Sequence, residues 1–395
     1  MTNPDVAAST RPIWLSLLLL WLAGNALRLT ILAVPPVIPL IHDELHMSET
    51  EVGILSGLPS MLLAFAAVPG SLLIARTGVI AALVIGLALN AVGGALRGAI
   101  DNVGWLYAMT IAMAAGVAIM QVSMPPTVRE WTPQRIGFAT ALYTNGLLIG
   151  EILPVALTIP LVLPLVGTWQ RAFTFWSVPV AIIAVLLLAL APRPAQHAAT
   201  TTKRRWWPDW HDPLIWRLGI MLGSINAVYF GTNAFLPDYL TRTGQAEWVS
   251  HGLTALNVGQ IPASALLLAV AGRLEGKSWP YVVCGAVTGA AIVGLVYTSG
   301  WWMIASAALI GFAASAVLIL ALALPPLLAP ADDVHRVTAA MFTISYSCAV
   351  IAPVLSGLIW DVTGIPATAF AMFALCAVIL IVLAPAIGHV KPLRS

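Results

Sequence analysis

The stretch Asn25-Ala26-Leu27-Arg28-Leu29-Thr30-Ile31-Leu32-Ala33-Val34-Pro35-Pro36-Val37-Ile38-Pro39 places one arginine in an almost wholly apolar segment. A cation in membrane hydrocarbon costs at least ~2.5–3.5 kcal/mol on insertion scales. Arg28 is therefore expected to face the interior of a helix bundle, a water-filled path or a counter-charge rather than lipid.

The same apolar character runs through all 395 residues. Hydrophobic side chains make up 60% of the chain and charged ones only 9%, which is too little polar surface for a water-soluble globule. Apolar runs of about 20 residues, long enough to cross a bilayer as a helix, recur between short polar breaks. We predict an all-α integral membrane protein with twelve spans. Their approximate bounds are 13–36, 50–74, 79–98, 104–126, 138–164, 171–191, 215–237, 250–271, 279–298, 301–327, 338–360 and 367–388.

One longer polar break divides the chain into nearly equal halves. It carries the basic cluster Lys203-Arg204-Arg205 followed by Trp206 and Trp207, a combination typical of the cytoplasmic interface of a membrane. We predict an N-terminal six-helix bundle over 1–191, a cytoplasmic linker over 192–213 and a C-terminal six-helix bundle over 214–395. The linker is interpreted as a helix on the membrane surface, with a regulatory lipid site as the alternative.

The distribution of charge predicts the orientation. With the N-terminus inside, most of the 18 Lys and Arg residues fall on one side, as cytoplasmic loops require. The exceptions are Arg28 within the membrane and Arg97, Arg171 and Arg242 at or near the outer ends of their spans. We predict a multi-pass monomer of the cytoplasmic (inner) membrane, in contact with membrane lipids and with both termini in the cytoplasm. The net charge of +2 is too small to indicate a nucleic-acid partner.

The two halves resemble each other at an offset of about 200 residues. Asn25 and Pro36 match Asn226 and Pro237, and Arg135 matches Arg336. Matches in the same order and at nearly the same offset are typical of internal repeats. They predict two pseudo-symmetric six-helix bundles, in which Arg28 corresponds to Tyr229 and only one half carries the charge.

Several motifs are similar to those of a known family. The loop Gly70-Ser71-Leu72-Leu73-Ile74-Ala75-Arg76-Thr77-Gly78 resembles the loop between spans two and three of the major facilitator superfamily. Asn25-Ala26-Leu27-Arg28, Trp169-Gln170-Arg171-Ala172 and Phe235-Leu236-Pro237-Asp238-Tyr239-Leu240 resemble its cyanate permease and 2-nitroimidazole transporter family. The resemblance implies secondary transport by alternating access, with a small anion or a small nitrogenous solute as the cargo.

Two ionisable residues are predicted near the middle of the bilayer. At the helical rise of about 1.5 Å, Arg28 lies roughly 22 Å into its span and Glu151 roughly 20 Å into the fifth. Three interpretations of Arg28 stay open: contact with an anionic substrate, a structural pair with Glu151, or contact with an interface or a backbone carbonyl. Glu151 is the candidate for proton coupling, and the same ion pair is its alternative role.

The other candidate substrate-binding residues are amides and phenols on probable cavity helices. Such groups bind a small polar solute without adding net charge, but each could instead form an interhelical hydrogen bond. They are Asn25, Gln121, Tyr143, Asn145, Asn226, Tyr229, Asn233, Asn257, Gln260 and Tyr346.

The sequence predicts no enzyme, no metal site and no cofactor. His42-Asp43-Glu44-Leu45-His46 spaces two histidines as a zinc protease does, but the H-E-x-x-H motif needs Glu directly after the first histidine. The segment is interpreted as a solvated turn and helix start. Walker and nucleophile-elbow motifs are also missing, which disfavours an ATP-driven pump.

The leading hypothesis is a secondary active transporter that moves a cyanate-like small anion. The alternative is proton-coupled efflux of a neutral or cationic nitroheterocycle or drug, with Glu151 as the coupling group. A membrane enzyme or a non-transporting sensor is the hypothesis from another class. Such a protein would normally show a catalytic cluster or an appended soluble domain, and the sequence offers neither.

Overall fold

The structure, a computed structural model, describes residues 12–47, 49–192, 205–274 and 276–385. Within these ranges the chain is helical and contains no β-strand. Eleven of the described helical segments are long and apolar enough to cross a membrane. A further apolar helix, Ile13–Ala26, is shorter. The predicted all-helical membrane fold is confirmed.

The first half contains eight helices, three of which are short. They are α1 (Ile13–Ala26), α2 (Ile38–Leu45), α3 (Glu49–Thr77), α4 (Val79–Leu96), α5 (Val103–Trp131), α6 (Ile136–Leu157), α7 (Leu163–Val166) and α8 (Trp169–Leu190). A π-helical turn, Thr158–Val162, joins α6 to α7 so that they form one span.

The second half repeats this arrangement with different breaks. Its helices are α9 (Pro213–Arg242), α10 (Val249–Val258), α11 (Gln260–Leu274), α12 (Trp279–Tyr297), α13 (Trp301–Leu322), α14 (Leu324–Leu328), α15 (Val334–Thr363) and α16 (Ala371–Leu383). Short 3₁₀ turns precede α2, α10, α15 and α16.

The helices pack into two bundles that meet along a seam. In the first half α1 packs on α6, and α4 packs on α5 and α8. In the second half α9 packs on α15 and α16, and α12 packs on α13 and α16. The bundles touch where α6 meets α11 and where α3 meets α15. The predicted pair of six-helix bundles is confirmed, and a site at their seam can be built from both.

The predicted linker is described only in part. Residues 193–204 lie outside the described residues, and 205–212 are non-helical up to the start of α9. Trp207 packs edge to face against both Trp206 and Trp210. We call the end of the bundles on which residues 205–212 lie the linker face.

The first span differs from the continuous helix predicted over 13–36. The α1 helix ends at Ala26, and residues 27–34 form turns before the 3₁₀ helix Pro35–Val37. Proline lacks a backbone N–H and clashes with the preceding turn. Pro35 and Pro36 therefore stop any helix from continuing through residues 31–36. The α1 helix already ends at Ala26, and Arg28 lies in the unwound segment rather than on a helix.

Glycines let α1 and α6 approach until their backbones touch. A Cβ atom added at Gly150 would lie 2.2 Å from the backbone oxygen of Asn25, and one added at Gly146 would lie 2.3 Å from that of Trp21. On the other side of the contact, a Cβ at Gly24 would lie 2.1 Å from the oxygen of Tyr143. Glycine at membrane helix interfaces serves this close approach. The contact fixes the end of α1, and therefore Arg28, beside the middle of α6.

We expect Gly150→Ala to destabilise the protein, because the new methyl group forces α1 and α6 apart. Overpacking of this kind costs roughly 1–3 kcal/mol, so the midpoint of thermal unfolding in detergent should fall. Gly57→Ala is the matched control, since a Cβ there meets no atom within 4 Å. An equal midpoint for the two variants would contradict the close contact.

Candidate functional site

A cavity of about 30 Å³ lies at the seam between the bundles. This volume holds about two water molecules, which suits a small solute. Its polar lining consists of Arg28, Gln121, Glu151, Asn226, Tyr229, Gln260 and Tyr346. Its apolar lining consists of Leu147, Leu148, Phe230, Ala314 and Leu318. Seven of the twelve site residues predicted from the sequence therefore line one cavity.

Arg28 reaches the cavity from the unwound segment and is half-buried. Its guanidinium lies within electrostatic range of Tyr346, Glu151 and Tyr229, and it forms a hydrogen-bonding contact with the Tyr346 phenol. Its Nε is buried and has no hydrogen-bond partner. Both Arg28 and Glu151 are described, yet no Arg28 nitrogen lies within 4.0 Å of a Glu151 carboxylate oxygen. The cation therefore has no directly paired carboxylate and keeps one unpaired donor.

Glu151 lies between this cavity and a second, adjacent space. It lines the cavity from α6, together with Leu148 and Gln260, and the same three residues line an adjacent crevice of about 70 Å³. The crevice is completed by Ile152, Asn257, Val258 and Ile261. Glu151 thus belongs to the lining of both spaces.

Tyr229 anchors a hydrogen-bonded cluster on the opposite wall. Its hydroxyl donates to Oδ1 of Asn257 at 2.6 Å and accepts from Nε2 of Gln260 at 2.9 Å. Asn257 donates to Oδ1 of Asn233 at 3.1 Å, and Asn233 donates to the Tyr229 carbonyl at 2.9 Å. Asn233 and Asn257 therefore lie behind Tyr229 and Gln260 and hold them, and neither lines the central cavity.

Two hydrogen bonds cross the seam beside the cavity. Nε2 of Gln121 donates to the Tyr346 hydroxyl at 3.3 Å, and Nδ2 of Asn145 donates to Oγ of Ser264 at 3.2 Å. Asn145 also accepts from Trp21 Nε1 at 3.1 Å. Amides therefore join the bundles directly at the level of the cavity.

Three predicted site residues lie in the packing around the cavity instead of its lining. Asn25 is buried and donates to the Trp21 carbonyl at 3.2 Å. Tyr143 is buried at the contact of α6 with Gly24. Asn145 forms the bridge across the seam. In the second half Asn226 does line the cavity, and it donates to Ser345 Oγ at 2.8 Å.

Arg97, which sequence reasoning placed at an outer helix end, is 0% exposed. Its Nη2 donates to the Thr30 carbonyl at 2.6 Å, and its guanidinium carbon lies 4.2 Å from the centre of the Phe173 ring. The signal was present in the sequence, because Arg97 follows the apolar run Ala91-Val92-Gly93-Gly94-Ala95-Leu96. The reasoning applied to Arg28 would have marked it as buried too.

The linker face is closed by contacts between the halves. Nη1 of Arg129 donates to the carbonyl oxygens of Pro326, at 2.9 Å, and of Ala329. These carbonyls lie at the C-terminal end of α14, where a cation is favoured by the helix dipole. Arg336 holds the linker, because its Nε donates to the Trp207 carbonyl at 2.9 Å.

The histidine-containing segment near residue 42 contains helix α2 rather than a turn. His46 caps the helix with a φ of 49°, and Glu44 accepts hydrogen bonds from Trp169 at 2.6 Å and Gln170 at 2.8 Å. Among the described residues, no group of three or more His, Cys, Asp or Glu could hold a metal ion.

The fold and the cavity agree with a sequence comparison, in which residues 17–277 match the Major Facilitator Superfamily. The chain belongs to this superfamily. The resemblance inferred from the sequence motifs is therefore confirmed, and the protein is a multi-pass membrane transporter and not an enzyme. Transporters of the superfamily bind small-molecule substrates, often together with protons.

Two curated relatives from Escherichia coli cover most of the chain. The cyanate transport protein CynX is 26% identical over 374 residues, which is 93% of this chain and 95% of the relative. The 2-nitroimidazole transporter is 26% identical over 370 residues, which is 90% of this chain and 93% of the relative.

A solved superfamily structure shares the whole fold. The crystal structure of the transporter FucP in the outward conformation superposes with a TM-score of 0.76. It covers 96% of this chain and 99% of FucP at 14% sequence identity. At this identity the likeness concerns the fold alone.

Tyr229→Phe should lower the thermal stability of the protein. The change deletes the hydroxyl that accepts from the buried Gln260 amide, and a buried polar group that loses its partner costs about 1–3 kcal/mol. Tyr297→Phe is the control, because Tyr297 is 82% exposed. Equal unfolding midpoints for the two variants would show that the cluster does not depend on this hydroxyl.

Proposed function

We propose that this transporter is a secondary active carrier of a small, cyanate-like anion. The observation that carries the proposal is Arg28, which belongs to the cavity lining, has a buried Nε without a hydrogen-bond partner and has no directly paired carboxylate. A cation inside a membrane protein is expensive unless it has a function or a counter-charge. A substrate anion supplies that counter-charge.

The size and chemistry of the cavity support a small solute. Its volume of about 30 Å³ leaves little room beyond Arg28 and its neighbours. Gln121, Tyr229 and Gln260 offer amide and phenol groups that can orient a linear polar anion without adding net charge. One of the two curated relatives is named a cyanate transport protein, which agrees with this class of cargo.

Glu151 is proposed as the proton-coupling residue. Its carboxyl group lines the same cavity as Arg28 and lies within electrostatic range of that guanidinium. An anion bound at Arg28 brings a second negative charge close to Glu151, so protonation of Glu151 favours anion binding and anion binding favours protonation. This reciprocity is the thermodynamic basis of symport.

Alternating access is proposed to occur by rocking of the two bundles about the cavity. We take the moving bodies to be residues 1–191 and 214–395, joined by the linker 192–213. In the described conformation Arg129 closes the linker face through Pro326 and Ala329. With the linker in the cytoplasm, as the basic residues predict, this is a state closed to the cytoplasm. The carrier is proposed to act as a monomer in the inner membrane, with both termini cytoplasmic.

The crevice beside Glu151 favours a second candidate function, which is proton-coupled efflux of a neutral or cationic nitroheterocycle. Three of its lining residues are exposed on the outer surface of the bundles: Ile152 by 39%, Val258 by 52% and Ile261 by 39%. A solute dissolved in the bilayer could reach Glu151 by this route without crossing the polar cavity. A relative named as a 2-nitroimidazole transporter agrees with this alternative.

Arg28→Ala should abolish cyanate uptake into proteoliposomes. Truncating one partner of a buried charge pair costs about 2–5 kcal/mol, which corresponds to at least a roughly 30-fold loss of affinity. Arg28→Lys should retain part of the uptake, because it keeps the charge. Arg171→Ala is the control, since Arg171 is exposed and remote from the cavity lining. Full uptake by Arg28→Ala would contradict anion binding at this residue.

Glu151→Gln should make cyanate uptake independent of an imposed proton gradient, because a neutral amide cannot take up a proton. Initial rates are measured with and without a pH difference across the vesicle, in the parent and the variant. An undiminished response to the gradient would rule out Glu151 as the coupling group. If only nitroheterocycle transport lost its proton dependence, the second candidate function would replace the first.

A further inference from the structure

The unwound segment, residues 27–34, interrupts the helical hydrogen bonds of four backbone carbonyls, those of Ala26, Leu27, Leu29 and Thr30. Side chains bind two of them, the carbonyls of Ala26 and Thr30. In a regular helix the carbonyl of Ala26 would accept from the N–H of Thr30, and that of Thr30 from the N–H of Val34. In this structure the N–H of Val34 donates to the Ile31 carbonyl at 3.4 Å instead. A buried carbonyl without a donor is costly, above all in a membrane. Other groups must therefore supply the donors.

Asn90 on α4 supplies the first donor, which binds the Ala26 carbonyl. Its Nδ2 donates to the Ala26 carbonyl at 2.9 Å, and its Oδ1 accepts from the Thr30 hydroxyl at 2.6 Å. The Asn90 side chain is completely buried. One amide therefore binds the segment at two points four residues apart.

Arg97 supplies the second donor, which binds the Thr30 carbonyl. Its Nη2 donates to the Thr30 carbonyl at 2.6 Å, while the face of Phe173 lies 4.2 Å from the guanidinium carbon. Its Nη1 is buried and unpartnered, and no carboxylate oxygen of the described residues lies within 4.0 Å of its nitrogens. The cation is thus held by carbonyl and ring contacts rather than by an ion pair. Both contacts depend on the planar fork of arginine.

The second repeat provides a comparison within the molecule. Tyr229, which corresponds to Arg28, lies inside the continuous helix α9, where the carbonyls next to Tyr229 keep their helical N–H partners. At offsets of 200 and 201 residues Asn90 corresponds to Ala290 and Ala291, and Arg97 to Tyr297 and Thr298. The half with an unbroken helix therefore lacks both the amide and the cation.

We propose that Asn90 and Arg97 form a clamp that keeps residues 27–34 unwound and thereby directs Arg28 into the cavity. Thr30 is the anchor, because its carbonyl and hydroxyl are both held and it lies two residues beyond Arg28. Asn90 and Arg97 are positioning residues and do not line the cavity. The effect of the clamp on anion binding rests on the proposed function, whereas the clamp itself concerns only the conformation of the segment.

Hydrogen exchange and uptake kinetics on the full-length protein test the clamp. Asn90→Ala and Arg97→Met should each raise amide exchange in residues 27–34 roughly tenfold, because the segment loses its fixed conformation. The KM for cyanate should rise about tenfold with a smaller change in the maximal rate, since Arg28 loses its orientation. Arg97→Lys should show amide exchange and a KM between those of the parent and those of Arg97→Met, because lysine can donate to Thr30 but does not reproduce the stacked guanidinium. Arg171→Met, a change at an exposed arginine, should resemble the parent.

The exchange and uptake results separate failure of the clamp from failure of the proposed function. Unchanged exchange in residues 27–34, or faster exchange spread evenly over all helices, overturns the clamp. If Arg97→Met does not fold, Asn90→Ala decides, because it removes no charge. If the parent protein carries no cyanate at all, the proposed function fails, and the exchange data alone still support or refute the clamp.

Discussion

The contact of α1 with α6 determines the geometry of the site. Gly24, Gly146 and Gly150 bring the two backbones to a distance that no Cβ atom would permit. Because Gly150 lies against Asn25 and precedes Glu151, the same contact brings Arg28 and Glu151 to one cavity. The two ionisable groups are therefore neighbours because of packing and not because of a bond between them.

The unwound segment after α1 depends on neighbouring helices that cover it and supply hydrogen bonds to its backbone. Irregular backbone at membrane depth is tolerated only where protein covers it and supplies hydrogen bonds. Here Gly94 permits α4 to approach closely, since a Cβ at that position would lie 3.1 Å from Cγ2 of Thr30. Asn90 and Arg97 then donate to the exposed carbonyls. Pro35 and Pro36 limit how far a helix could extend, and these neighbours bind the backbone between Ala26 and Pro35.

The sequence was sufficient for the order of the spans, because a bilayer requires apolar runs of nearly fixed length. Twelve spans were predicted; among the described residues eleven are long enough to cross a membrane, and the first, α1, is shorter. The sequence also indicated that Arg28 and Glu151 could meet, and both line one cavity. It was insufficient for the direction of the side chains. Asn25 and Tyr143 are buried at the glycine contact instead of lining the cavity, and this depends on helix rotation. The burial of Arg97 was missed because its position after an apolar run was interpreted as the outer end of a span, and its partners, a carbonyl and a ring, could not be read from the sequence.

The cavity and the seam are connected through one phenol. The Tyr346 hydroxyl accepts from Gln121 across the bundles and also contacts Arg28. A change in what Arg28 binds therefore alters a group that joins the two halves. Small shifts of this kind are amplified because packed interfaces have discrete arrangements rather than a continuous range. In this architecture, the residue proposed to recognise the solute is adjacent to a hydrogen bond that joins the two bundles.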